Sequence, residues 1–220
     1  MLSRPLAVLF DLDGTLIDST ELILQSARHA YAGVSDHSYS DGEWLEGMGT
    51  PLRVQLARFA AAEHHVPALA DRYREFQIEH HDRLVTPFAA AAEVLERLRA
   101  GGHPLAIVTS KMTYMARHGL AHCGLDVPLM IAADDCRRHK PDPEPVQLAL
   151  DRLGYAPSEA IFVGDSPHDV GAGRAAGVVT VGAVWGPCGR DALVAAGADH
   201  LLADLGDLPA LVARLDAAPR

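Results

Sequence analysis

No stretch of this sequence stays apolar for the roughly 20 residues that a membrane-spanning helix requires, although hydrophobic residues make up 49% of it. Cysteine is scarce. The three present, Cys123, Cys136 and Cys188, are widely spaced and form neither a CxxC pair nor a dense framework, which excludes a disulfide scaffold and fits free thiols in a reducing compartment. Positive charge is short as well: 19 lysines and arginines face 29 acids, for a formal net charge of -10. Such a field repels phosphate backbones and anionic lipid, so neither nucleic acid nor a membrane surface is an expected partner. Lysine itself occurs only at Lys111 and Lys140, which makes each of the pair informative. No charged-then-apolar leader opens the sequence, and the expectation is a soluble cytoplasmic protein.

What is present is a grammar of short apolar runs and amphipathic segments. Leu6 to Phe10 is wholly apolar, without alternation, as a strand buried on both faces of a parallel sheet would be. Asp18 is then placed to cap a helix from about Ser19 to Tyr31, with Glu21 completing a capping box. Val34 to Thr50 reads as loop, and helical patterns follow over Pro51 to Ala62 and Pro67 to Leu84. After Pro87 the text alternates. Helices are predicted over Phe88 to Arg99, Thr113 to Cys123, Pro143 to Leu153 and Pro167 to Ala176. Strands are predicted over Pro104 to Thr109, Leu129 to Ile131, Ala160 to Val163 and Val178 to Val181, with weaker alternation to the end. This is the signature of an α/β fold with a Rossmann-like parallel sheet and helices on both faces. Residues 17–85 contain helices but no convincing strand, so they read as a small all-helical cap inserted after the first strand into a core of residues 1–16 and 86–220.

Ligands of open parallel sheets bind beyond the carboxyl ends of the strands. Four predicted strand ends here carry polar chemistry: "DLDG" with Asp11 and Asp13, then Thr109-Ser110-Lys111, then "RHKPDPEP" with Lys140, then "GDSPHD" with Asp165 and Asp169. Together these groups suit phosphoryl transfer. A carboxylate can attack phosphorus and split one hard displacement into two easier ones, but it must do so against an anionic group. A hard Mg²⁺ with oxygen ligands and a lysine ammonium neutralise that repulsion. Asp11, Asp165 and the main chain near Asp13 could supply the ligands, while Asp13, two residues past the nucleophile, could hand a proton to the leaving oxygen. Asp169 also stands three residues after Ser166, with Pro167 between them, which predicts a capping box there.

The ordered set of "DLDGT", Thr109, Lys140 and "GDSPHD" resembles the haloacid dehalogenase superfamily of phosphohydrolases over residues 6 to about 182. That resemblance implies a Rossmann-like core with an inserted helical cap and a Mg²⁺ cofactor. It implies Asp11 as nucleophile and Asp13 as general acid and base. Thr109 would hydrogen-bond the transferring phosphoryl group, Lys140 would balance its charge, and Asp165 would bind metal with Asp169 in support. Dehalogenating relatives lack the second carboxylate, which Asp13 supplies here. Phosphonate-cleaving relatives need a cap lysine, and residues 17–85 contain none. Mutases carry a histidine where Ile23 stands. The segments "DLDGTLIDSTELI" and "HKPDPEPV" resemble those of phosphoglycolate phosphatases and related inorganic pyrophosphatases, so the expected activity is hydrolysis of a small phosphorylated metabolite, a phosphoglycolate-like phosphomonoester, with inorganic pyrophosphate as the alternative.

Substrate choice is expected from the cap. Gly47, Met48 and Gly49 resemble a cap loop that faces the active site, and Arg53 could hold a carboxylate or second phosphate in a bidentate contact. Ser110 joins the expected phosphate contacts. Hinges at Thr15 to Ile17 and Leu84 to Pro87 would let the cap close. The pairs His64-His65 and His80-His81 are expected on a solvated cap surface, because adjacent helical residues point apart.

Overall fold

The computed structural model describes residues 4–34 and 39–217. Part of the expected Val34 to Thr50 loop, residues 35–38, and the tail 218–220 lie outside the described residues. In chain order the elements are β1 (Ala7–Phe10), β2 (Ile17–Asp18), α1 (Thr20–Tyr31), α2 (Asp41–Leu45), α3 (Leu52–Ala57) and α4 (Val66–Leu84). There follow β3 (Thr86–Pro87), α5 (Ala91–Ala100), β4 (Leu105–Val108), α6 (Thr113–His122), β5 (Leu129–Ile131) and α7 (Glu144–Leu153). The last are β6 (Ala160–Gly164), α8 (Pro167–Ala176), β7 (Val179–Ala183), α9 (Gly189–Ala196), β8 (His200–Leu202) and α10 (Leu208–Asp216).

Six strands form one sheet in the order β5-β4-β1-β6-β7-β8, with every pairing parallel. The unbroken apolar run of β1 has the predicted cause. Leu6, Val8 and Phe10 enter a hydrophobic cluster on one face of the sheet, while Ala7 and Leu9 enter a second cluster on the other. Helices α7 and α8 supply Val146, Ala149, Leu150 and Ala172 to that second face. The fold is therefore the α/β arrangement expected, with β1 at the centre and its carboxyl end beside those of β4 and β6.

Helices α1 to α4, the stretch expected as a cap, share a separate core built from Leu24, Ala27, Tyr31, Trp44, Leu56 and Tyr73 among others. Trp44 is its hub: the rings of Tyr39, Phe59 and Tyr73 lie 5.3, 5.7 and 6.2 Å away, centroid to centroid. Two chain crossings join cap to core, and there β2 pairs antiparallel with β3, Ile17 opposite Pro87 and Asp18 opposite Thr86. This two-residue ribbon occupies the stretches expected to hinge.

Several local expectations change. The stretch expected as loop contains α2, whose capping box is Ser40 with Glu43. The helix expected over Pro51 to Ala62 is confined to α3, residues 52 to 57. Asp18 does not form a capping box with Glu21. Ser19 occupies the N-cap position without capping, because its hydroxyl donates to Asp13 Oδ1 at 2.6 Å, and Asp18 Oδ1 accepts from the Thr20 amide instead. Asp199, reached after the weaker alternation, anchors β7 through both the amide and hydroxyl of Thr180. The three cysteines are free thiols. His64 and His65 are exposed as expected, but His81 is buried at 1% exposure, and that burial pushes its imidazole pKa down.

Candidate active site

Backbone geometry brings the strand ends together. Asp11 follows β1, and its amide donates to the Val163 carbonyl of β6. The chain then turns sharply at Gly14, whose φ of +83° favours glycine, and a Cβ there would lie 2.6 Å from Asp165 Oδ2. Trp185 fixes the same turn by donating its indole N–H to the Thr15 carbonyl at 3.0 Å. Thr15 in turn donates its hydroxyl to Asp165 Oδ1 at 3.2 Å. So the carboxylates after β1 and β6 face each other across one tight loop.

Lys140, from the segment between β5 and α7, reaches into this corner. Its buried Nζ lies 2.6 Å from Asp11 Oδ1, 2.6 Å from Asp169 Oδ1 and 3.3 Å from the Val108 carbonyl. Burial alone would lower the lysine's pKa, yet the Asp11 and Asp169 carboxylates outweigh it and hold the ammonium above its ordinary value. Asp169 does two jobs. Its other oxygen accepts from the Ser166 amide and hydroxyl, forming the predicted capping box at the start of α8.

One ammonium cannot neutralise three buried acids. Burial pushes the Asp11 carboxyl up to about 7, against the downward pull of Lys140. Burial raises Asp165 well above the usual carboxylate range, and the charges of Asp169 and Asp11 add to the rise. Asp165 Oδ2 is also buried with no hydrogen-bond partner among the described residues. Carboxylate oxygens of Asp11, Asp165 and Asp169 lie within 4.8 Å of one another. An unpartnered oxygen in a crowd of hard donors fits a divalent cation, which supplies the missing positive charge.

Asp13 points elsewhere. Its Oδ1 meets Lys111 Nζ at 2.7 Å and the Ser19 hydroxyl at 2.6 Å, so it lies outside the acidic cluster and lines an adjoining cavity. Thr109 is buried beside it and accepts the Lys111 amide at 3.1 Å. Sequence reasoning gave Lys111 no separate role; its rarity and its place immediately after Thr109-Ser110 were the available signals.

The cavity between core and cap has a volume of roughly 460 Å³. Gly47, Met48, Gly49 and Arg53 all line it, as do Thr109 and Ser110, so the structure gathers these expected residues around one space. Arg53 lies exposed on α3. The Ser110 hydroxyl donates to the Gly49 carbonyl at 2.5 Å, so it clasps the cap loop. Gly49 has a φ of +90°, and a Cβ there would lie 2.6 Å from Ser166 Oγ. Arg74, Tyr73 and Gln77 of α4, absent from the sequence expectations, also face the cavity. Their signal was hidden because they share one face of a helix whose other faces are charged.

The haloacid dehalogenase-like hydrolase family model matches residues 8–183, which span every one of these strand ends. The chain belongs to this family. Its sequence is 40% identical over 207 residues to Pyrophosphatase PpaX of Bacillus velezensis, covering 93% of this chain and 95% of that protein. It is also 40% identical over 211 residues to Pyrophosphatase PpaX of Bacillus pumilus, with 93% and 95% covered. Among solved structures, a hydrolase from Pseudomonas syringae shares the fold with a TM-score of 0.86 at 23% identity, covering 95% of this chain and 98% of that one. A predicted phosphoglycolate phosphatase from Haemophilus somnus shares it at 0.83 and 24% identity, covering 96% and 99%. This haloacid dehalogenase-like hydrolase is thus a phosphatase-type enzyme, with an acidic cluster suited to a divalent metal.

Proposed function

We propose that the chain is a Mg²⁺-dependent phosphatase that forms an aspartyl-phosphate on Asp11, with inorganic pyrophosphate as its preferred substrate. The observation that carries the chemistry is the buried contact of 2.6 Å between Lys140 Nζ and Asp11 Oδ1, set in a cluster with more acid than one lysine can balance. The 40% identity to proteins named pyrophosphatase supports the choice of an anhydride.

In this reading Asp11 and Asp165 would hold Mg²⁺, with Asp169 in support, and the bound ion would supply positive charge against the phosphoryl oxygens. An Asp11 carboxylate oxygen bonds to phosphorus as the bond from phosphorus to the bridging oxygen breaks. Lys140 offsets the charge gathered on Asp11 and on the transferring group, and the Thr109 hydroxyl steadies a phosphoryl oxygen. Asp13 gives a proton to the departing oxygen, then takes one from the water that attacks the acyl phosphate, which releases inorganic phosphate and restores Asp11. Residues 17–85 act as a cap that pivots at the β2-β3 ribbon and excludes water while the intermediate forms.

A second reading, hydrolysis of a phosphoglycolate-like phosphomonoester, is favoured by the cap wall. Ile23, Trp44, Met48 and Leu52 give the cavity an apolar side, with Arg53 and Arg74 as candidates for a substrate carboxylate. Ranking kcat/KM for pyrophosphate, phosphoglycolate and hexose phosphates decides between the two readings. Asp11→Asn tests the shared chemistry: turnover is expected to fall by about 10³-fold or more, and ordinary activity in that variant would overturn the assignment.

A further inference from the structure

We propose that His81, Asp82 and His118, with His122 close by, form a second metal site, selective for a borderline transition-metal ion such as Zn²⁺, between α4 and α6 beside the β2-β3 ribbon. The residues come from two helices. His81 and Asp82 stand in the last turn of α4, just ahead of the β3 strand of the ribbon. His118 and His122 stand four residues apart on α6 of the core, hence on one helical face. Adjacent histidines on one helix do point apart, as the sequence predicts, but the further ligands come from a helix distant in sequence.

One carboxylate oxygen gathers all three rings. Asp82 Oδ1 lies 2.9 Å from His81 Nδ1, 2.7 Å from His118 Nε2 and 3.6 Å from His122 Nδ1. The His118 and His122 rings meet His81 edge-on, with centroids 4.5 and 5.7 Å away. Donors bound tetrahedrally to zinc at about 2.0–2.1 Å are roughly 3.4 Å apart, which falls among these separations. Hydrogen bonding explains the two shorter contacts. A nitrogen at 3.6 Å is too far for that, and the donor atoms that all lie within 4.8 Å of one another are those of His81, Asp82 and His118.

The surroundings are shaped for the ring that matters most. His81 is buried, and its Nε2 has no hydrogen-bond partner among the described residues, so packing rather than solvent holds the imidazole in place. Gly119, between the two α6 histidines in sequence, packs against Ile17 Cδ1 and His81 Nε2, which would lie 3.2 and 3.4 Å from a Cβ there. Asp82 and His118 are exposed, which leaves an entry path for an ion. Imidazole donors suit Zn²⁺, Co²⁺ and Ni²⁺, whereas Mg²⁺ prefers sites made of oxygen alone. The two metal sites of the molecule would therefore sort ions by donor type, and the proposal stands whichever phosphorylated substrate the enzyme takes.

The test uses full-length protein stripped with a chelator and then supplied with excess Mg²⁺, so that the acidic cluster is occupied. Co²⁺ is titrated in as a zinc surrogate while the visible absorption of four-coordinate cobalt is followed. One equivalent is expected to bind, Zn²⁺ is expected to displace it, and His118→Ala is expected to weaken it by at least about tenfold, a loss that even outer ligand partners produce. His118 is exposed on its helix, so that variant is expected to fold; His122→Ala serves as a second reporter. Asp165→Asn is expected to leave the cobalt spectrum intact. The absence of a four-coordinate spectrum, or one insensitive to His118→Ala and abolished by Asp165→Asn, would overturn the site.

Discussion

Core and cap solve different problems with different materials. The carboxyl ends of β1, β4 and β6 place charged groups in fixed contact, with Lys140, Asp11, Asp169 and Ser166 joined by contacts of 2.6 Å. Helices α1 to α4, the cap of the proposal, instead wall the cavity with a nearly uncharged aromatic cluster packed around Trp44. The charged groups are attached to the strand ends of a parallel sheet, whereas the opposite cavity wall is attached to helices, α4 among them.

The largest expected effect tests the core half. Lys140→Ala leaves Asp11 and Asp169 facing each other without their ammonium, and breaking such a buried pair costs about 3–5 kcal/mol. Turnover should fall at least as far as in Asp11→Asn. A urea melt showing wild-type stability in the absence of Mg²⁺ would mean that the cluster does not depend on this charge. Trp44→Ala makes the matching test of the cap. Truncating a buried tryptophan costs about 3–5 kcal/mol, but here the loss should concentrate in the cap. KM is expected to rise strongly while calorimetric Mg²⁺ affinity stays near the wild-type value; a parallel loss of Mg²⁺ binding would erase the distinction between the two regions.

A pH experiment sharpens the core further. The Asp11 pKa of about 7 lies above its ordinary value of 3.8, so the metal-free native protein holds a proton that the unfolded chain releases. This group's contribution to stability therefore falls as pH rises from about 4 to about 7 and is level beyond that. Mg²⁺ competes with the same proton, so its affinity should climb with pH through that window. The measurement is urea stability in chelator at pH 5 and pH 8 for wild type and Asp11→Asn. Wild type should lose more, or gain less, than the variant on going to pH 8, and an equal change in both would remove Asp11 from the account.

Ser110→Ala is the mildest test. It deletes the hydroxyl that clasps the Gly49 carbonyl, a single hydrogen bond of about 0.5–1.5 kcal/mol. A decrease in kcat/KM of less than about tenfold is expected, carried by cap closure. A loss comparable to that in Lys140→Ala would place Ser110 in the chemistry instead.

Legibility in the sequence divides along the same line. The core could be read because a strand buried on both faces leaves an unbroken apolar run, as in Leu6 to Phe10, and because polar residues crowd where each run stops. Order along the chain then named the corner that Asp11, Lys140 and Asp165 share. The cap was legible in kind but not in detail. Helix α2 has five residues, too few for a helical period to emerge, and only its Ser40 and Glu43 pair marks it. Asp18 fits the capping pattern, yet Ser19 is drawn off by Asp13, a tertiary contact that local spacing does not encode. His81 is buried for the same kind of reason: the surface it packs on is α6, where His118 stands 37 residues further on.

The clasp between Ser110 and Gly49 engages the cap loop through a peptide carbonyl, and Ser166 meets the same loop where no side chain projects. Recognition of this kind ignores the identity of the neighbouring residues. Arg53 and Arg74, which line the cavity without belonging to the aromatic core, can accordingly be varied in directed evolution while the docking of the cap loop through Gly49 is kept.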